Sequence, residues 1–259
     1  MNGPPRIFDR AAVRRHRERA SSSIGQVAAL LDDLAQRLVD RLDDTTTRFG
    51  RAIEIGGRGV VAPLLVGHGI ETVSMDLSPR LAARAGGLTV VGDEECLPFA
   101  PGSFDLVVAS LALHWVNDLP GALVQIRHVL RPGGLFLASM PAIGTLDELR
   151  RALAEAEDAL SGGASPRVSP FPDLRDCAGL LQRAGFSLPV ADVEEIELLY
   201  ADPLALLHEL RAAGESNAVA LRDRRPPPRA LFPAALARLP QREGRAKVTL
   251  RLAVMTGWA

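Results

Sequence analysis

"IEIGGRGVV", residues 53–61, sets an acid and three glycines directly behind an apolar run, the pattern of a strand that turns through glycine into a helix. Backbone N–H groups at such a turn meet a polar or anionic ligand with no side chain in the way. Glu54, Gly56, Gly57 and Gly59 are therefore candidate ligand contacts. The next β-rich run, Glu71 to Met75, leads to Asp76, where an acidic side chain at the strand end can accept both hydroxyls of a ribose. A dinucleotide fingerprint would need G-x-G-x-x-G, which GGRGVVAPL does not supply, and nicotinamide chemistry is disfavoured.

Outward from this turn, short β-rich runs alternate with helical stretches: Ala52 to Ile55, Glu71 to Met75, Thr89 to Val91, Leu106 to Leu111 and Leu135 to Ser139. This alternation indicates parallel strands joined by helical crossovers. The run FDLVVASLALHW is apolar nearly throughout, as a strand buried on both faces should be. Val27, Leu30, Leu31, Leu34, Leu38 and Leu42 recur every three or four positions and predict an amphipathic helix before the sheet. Thr145 with Glu148 reads as a capping box for a helix from about Leu146 to Leu160. Ser161 to Asp173 reads as a long loop, Val190 to Leu199 and Lys247 to Met255 as two further strands, and about 203–246 as an insertion of one helix, an extended RDRRPPPR linker and one short helix. One domain over 1–259 is the economical division, preceded over 1–25 by an arginine-rich arm expected to lie solvated on the surface.

Composition bounds the function. The chain has 259 residues, 47% apolar and 24% charged, with net charge −1, which leaves no global positive field to hold nucleic acid. Cys96 and Cys177 lie far apart without C-x-x-C spacing, so neither a disulfide framework nor a zinc site is expected, and no metal ligand set is assigned. No apolar run approaches the roughly 18 residues of a membrane span, and the N-terminus lacks the apolar core of a secretory signal. A soluble, cytoplasmic protein is the expectation.

The strings EIGGRG, MDLS, GDEECLPFAPGSFDLVVASLALHWVNDLPGAL and RPGGLFLASM together resemble the class I S-adenosylmethionine-dependent methyltransferase superfamily. IFDR at 7–10, DEECLPF at 93–99, SLALHWVNDLP at 110–120, SPFPDL at 169–174, LLQRAGF at 180–186, GESNA at 214–218 and MTGWA at 255–259 more narrowly resemble the family of mitochondrial complex I assembly factor 5 and its bacterial relatives. The resemblance implies a Rossmann-like α/β fold: a seven-stranded sheet with helices on both faces, a helical and loop cover, and S-adenosylmethionine across the carboxyl ends of the first strands. Carried over by position, Glu54, Gly56, Gly57 and Gly59 would line the methionine and ribose side, Asp76 would hold the ribose, Leu77 would pack on adenine, and Asp93 with Glu94 would meet its edge. His114 and Trp115 would close the substrate side, His114 as a candidate general base because its unperturbed pKa is near neutral. The departure is in the turn: the family pattern acid-x-Gly-x-Gly-x-Gly is one residue longer, and a missing residue removes about 3.3–3.6 Å of contour. The loop must therefore be rebuilt.

The resemblance implies an enzyme that modifies a respiratory complex I subunit during assembly. By the family's association this is arginine hydroxylation on the quinone-proximal iron–sulfur subunit, reached at the cytoplasmic face of the inner membrane through that partner. Two alternatives stand beside it. One is a conventional methyltransferase of a small molecule or acyl carboxylate. The other is a noncatalytic assembly scaffold with a degenerate cofactor loop, in which Arg58 and RDRRPPPR serve a partner.

Overall fold

A computed structural model describes residues 6–259; the first five residues of the expected arm lie outside the described residues. In chain order the elements are α1 (Arg10–Ala20), α2 (Ala28–Asp40), β1 (Arg51–Ile55), α3 (Val61–Gly67), β2 (Glu71–Asp76), α4 (Pro79–Arg84), β3 (Leu88–Val91), β4 (Phe104–Ser110), α5 (Leu119–Val129), β5 (Leu130–Pro141), α6 (Asp147–Ser161), α7 (Leu174–Arg183), β6 (Ser187–Tyr200), α8 (Leu204–Ala212), α9 (Leu231–Leu236), β7 (Gln241–Arg242) and β8 (Arg245–Trp258).

The sheet runs in the order β3-β2-β1-β4-β5-β8-β6. The first five of these pair in parallel, β8 enters antiparallel between β5 and β6, and the two-residue β7 adds a hairpin to the start of β8. Chain order reverses direction across the sheet between β1 and β4, and the carboxyl ends of these strands frame the crevice where ligands of open α/β sheets bind. Successive strand residues face opposite sides. Ile53, Ile55, Val107, Ala109, Phe136 and Ala138 pack under α5 and α7. Ala52, Leu106, Val108, Leu135 and Leu137 pack under α2 and α3. Both faces are covered, as the near-continuous apolar reading of β4 requires. A third cluster joins α6, α8 and α9 to the first residues of β8 and forms the helical cover. No described helix is long and apolar enough to cross a membrane.

Two local expectations are corrected. The capping box at α6 does not form: Leu146 holds the N-cap position at φ 53° without a side-chain bond. Thr145 Oγ1 instead donates to the Arg251 carbonyl and accepts from Arg251 N–H at 3.0 Å. Glu148 accepts from Thr249 N–H and Oγ1 at 3.1 and 2.6 Å. These side chains satisfy β8 across the cover, a tertiary demand that overrides the local one. The arginine-rich arm is likewise no solvated face. Asp9 caps α1 by accepting from Ala12 N–H, and Ala12, Val13, Arg17 and Ala20 are buried. Val13, Arg17 and Ala20 fall at i, i+4 and i+7, so one arginine lies on the apolar stripe.

Candidate functional site

Every residue expected at the cofactor or substrate side lies at the carboxyl ends of the parallel strands. Glu54 is the penultimate residue of β1, with Gly56, Gly57 and Gly59 in the turn to α3; Asp76 ends β2 and Leu77 follows it. Asp93 and Glu94 follow β3, and His114 and Trp115 sit in a 3-10 turn, Leu113–Trp115, after β4. In the shortened turn Arg58 is left-handed at φ 53°, and it faces a second left-handed residue, Leu111 at φ 50°, just past β4. Arg58 Nη2 donates to the Leu111 carbonyl at 3.0 Å. Backbone strain of this kind gathers at sites that the surroundings over-determine.

The space above the turn belongs to α1. Arg17 reaches down from the helix, donates Nη1 to Glu94 Oε1 at 2.5 Å and stands 3.8 Å from Asp76 Oδ2. Arg10, one helical stretch earlier, bridges Asp93 and Glu94 and donates to the Trp115 carbonyl at 3.0 Å. Phe8, Ala12 and Val13 pack with Leu77, Trp115, Ala218 and Val219, and the Phe8 and Trp115 rings meet edge to face at 5.2 Å. Asn117 ties down the Phe8 backbone through its side-chain amide, while Asp118 caps α5 by accepting from Gly121 N–H.

A second cluster adjoins the first. Glu215, just after α8, pairs with Arg58 and accepts from Trp115 Nε1 at 2.8 Å, with His114 Nε2 at 2.8 Å from the same carboxylate oxygen. Phe171, from the long loop between α6 and α7, lies 6.4 Å from the His114 ring. The His114 side chain is 1% exposed, and its Nδ1 has no partner. Glu215 and Arg17 were both missed as site residues by sequence reasoning. The signal for Arg17 was its place on the apolar stripe of α1; for Glu215 it was its place in the GESNA string at 214–218.

Burial sets the electrostatics. Burial tends to raise the Glu94 carboxyl, but Arg17 and Arg10 outweigh it and hold it at about 2. Glu215 is held at about 2 in the same way, burial being outweighed by His114 and Arg58. Glu54, with no such direct pairing, is pushed up to about 7 by burial, and burial raises Asp76 despite Arg17. Burial lowers the Arg58 guanidinium. One oxygen each of Glu54 and Asp76 is left buried without a hydrogen-bond partner.

A family model described as a methyltransferase domain matches residues 53–138, the strands and turns that hold this cleft. The chain is 37% identical over 220 residues to arginine-hydroxylase NDUFAF5, mitochondrial, of Danio rerio, covering 82% of this chain and 68% of the relative. The chain belongs to the class I methyltransferase superfamily and resembles NDUFAF5 within it. The corresponding human protein is 39% identical over 223 residues, 82% of this chain and 64% of its own. The chain thus spans about two thirds of these relatives. A malonyl-[acyl-carrier protein] O-methyltransferase of Xylella fastidiosa is 35% identical over 231 residues, 85% of this chain and 75% of the relative. The relatives matched in this superfamily are named as enzymes. In fold, the chain is similar to the YcgJ protein of Bacillus subtilis, with TM-score 0.60 and 13% identity over 86% of this chain and 98% of the other. It is also similar to phosphoethanolamine N-methyltransferase 2 of Haemonchus contortus in complex with S-adenosylhomocysteine, with TM-score 0.51 and 17% identity over 87% of this chain and 52% of the other.

The superfamily implies S-adenosylmethionine in this cleft, and the side chains present can be tested against it. Their chemistry suits it, since Glu54 and Asp76 each keep an unpaired oxygen. Their space does not. A Cβ at Gly57 would sit 1.7 Å from Glu54 Oε1, and one at Gly56 would sit 2.6 Å from the Ala112 Cβ and 3.7 Å from Arg17 Nη1. Those glycines are required by the close approach of the chain's own atoms, and Arg17, Glu54, Asp76 and Glu94 around them are 1–2% exposed. The group does not fit the cleft as α1 holds it.

Proposed function

We propose that this chain is an enzyme of respiratory complex I assembly that modifies an arginine side chain on the quinone-proximal iron–sulfur subunit, at the cytoplasmic face of the inner membrane. The single observation behind this reading is the 37–40% identity to arginine-hydroxylase NDUFAF5 proteins over 82% of the chain, far beyond the matched methyltransferase core of residues 53–138. On this reading the His114, Trp115 and Glu215 cluster forms the substrate side. Glu215 offers a carboxylate of the type that binds a guanidinium, as it binds Arg58, and its bond to His114 fixes that ring. The test is mass spectrometry of the subunit from cells with and without the gene. An arginine peptide one oxygen heavier in the first and unmodified in the second is the expected result; the same peptide in both overturns the reading.

A second reading rests on the similarity to malonyl-[acyl-carrier protein] O-methyltransferases: methyl transfer to an acyl carboxylate. It expects S-adenosylhomocysteine to appear when the purified chain meets S-adenosylmethionine and a malonyl carrier. Absence of that product across acyl chain lengths counts against it.

A further inference from the structure

We propose that Arg17 and Arg58 permanently take the place of the adenosyl cofactor in this chain, so that Glu94 and Asp76 serve as counter-charges fastening α1 to the sheet and the cleft binds no S-adenosylmethionine.

Three independent observations meet here. The first is occupancy. Glu54, Asp76, Glu94, Arg17 and Arg58 are each between 1% and 3% exposed. A void large enough for an adenosyl group would expose them even if it were sealed from bulk water. The glycine turn closes in the same way, on Glu54 and Ala112.

The second is charge. S-adenosylmethionine brings a sulfonium and an ammonium against a single carboxylate, and so a net positive charge that its site has to accommodate. In this cleft two of the carboxylates are already matched, Glu94 by Arg17 and Arg10 and Glu215 by Arg58, and Arg17 stands 3.8 Å from Asp76, so that Glu54 alone has no cation beside it among the described residues. A third cationic group placed between two buried guanidiniums would be repelled where the low dielectric makes charge interactions strongest.

The third is anchorage. Withdrawing Arg17 means withdrawing α1, and α1 is fixed by more than its arginines. Asp9 N–H donates to the Ala218 carbonyl and Ala220 N–H to the Ile7 carbonyl, both at 2.8 Å. His16 Nδ1 lies 3.0 Å from the Ser216 carbonyl, and Arg222 pairs with Asp9 at 3.0 Å. Leu77, the residue placed to pack on adenine, is buried in the cluster that seats the helix. A lid that opens for a ligand is built from weakly held segments, and this one is held along its length.

The inference stands apart from the proposed modification of an arginine, which transfers no methyl group, and it excludes the second reading, which needs S-adenosylmethionine. It is tested by calorimetry and thermal unfolding of the purified full chain, freed of copurified small molecules, with S-adenosylmethionine and S-adenosylhomocysteine up to millimolar concentration. The expected result is no saturable heat and no rise in Tm. Saturable binding that Asp76→Ala abolishes overturns the proposal. A second arm needs no ligand. Glu94→Gln lowers Tm sharply, because Arg17 loses its charge partner, and the Arg17→Met, Glu94→Gln double variant recovers most of the loss. A Tm unchanged by Glu94→Gln would mean that Glu94 is not a structural counter-charge and also overturns the proposal. If the single variant does not fold, the wild-type titration still decides.

Discussion

Arg17 is a buried charge that ties α1 to the sheet through Glu94. It is 1% exposed, and breaking a buried ion pair by removing one partner typically costs about 3–5 kcal/mol, because the other charge stays behind. Arg17→Ala is expected to lower the unfolding free energy in urea by about that amount. Arg19→Ala, two positions on and exposed, should change it by no more than about 0.5 kcal/mol. Equal effects would mean that Arg17 is not buried as described. Glu54 gives a second prediction at this scale, through pH. Its carboxyl is raised from 4.5 to about 7 by burial, so the native state holds a proton there that the unfolded chain has released. Stability contributed at this position is therefore present below about pH 4.5 and lost as pH rises through 7, by about 3 kcal/mol at most. Glu94 has the opposite sign: held at about 2, it contributes stability above 4.5 that disappears only as pH falls toward 2. Urea titrations at pH 5 and pH 8 should show Glu54→Gln gaining on the wild type at the higher pH; a pH-independent difference would refute the assignment.

At the scale of elements, α1 depends on packing for its existence. It has 11 residues, and isolated helices this short are marginal in water. Its apolar anchor is Phe8, 6% exposed and set edge to face on Trp115. Truncating a buried phenylalanine typically costs about 3–5 kcal/mol, so Phe8→Ala should destabilise the chain by that order in denaturant unfolding; a loss below about 1 kcal/mol would show that the helix is seated elsewhere. Much of the fold was legible because its signals are periodic. β4 reads as apolar nearly throughout because both its faces are covered, and α2 shows its stripe at spacings of three and four. The site was legible as positions, since strand ends are set by the alternation of strands and helices. Its contents were not. Whether Asp76 and Glu94 face a ligand or an arginine depends on a helix more than 50 residues earlier, and no local pattern reports that distance. The capping box failed for the same reason, Thr145 and Glu148 being claimed by residues near 250.

For the whole molecule, α1 joins parts of the chain that are far apart in sequence. It touches the segments after β2, β3 and β4 through Leu77, Glu94 and Trp115, and the segment after α8 through Ser216 and Ala218. Its seat therefore exists only once the chain has folded through residue 219, and late, long-range contacts of this kind form with the global transition. The helix should then open only when the sheet opens. In native-state hydrogen exchange, the amides of Val13 to Ala20 are expected to share the opening free energy of β1 and β4, rather than the lower values of a segment that detaches by itself. Exchange from these amides more than about tenfold faster than from β1 and β4, under conditions where exchange reports stability, would mean that α1 leaves its seat while the sheet stays folded. The cleft would then be one that opens, and Arg17 a gate to it rather than part of its floor.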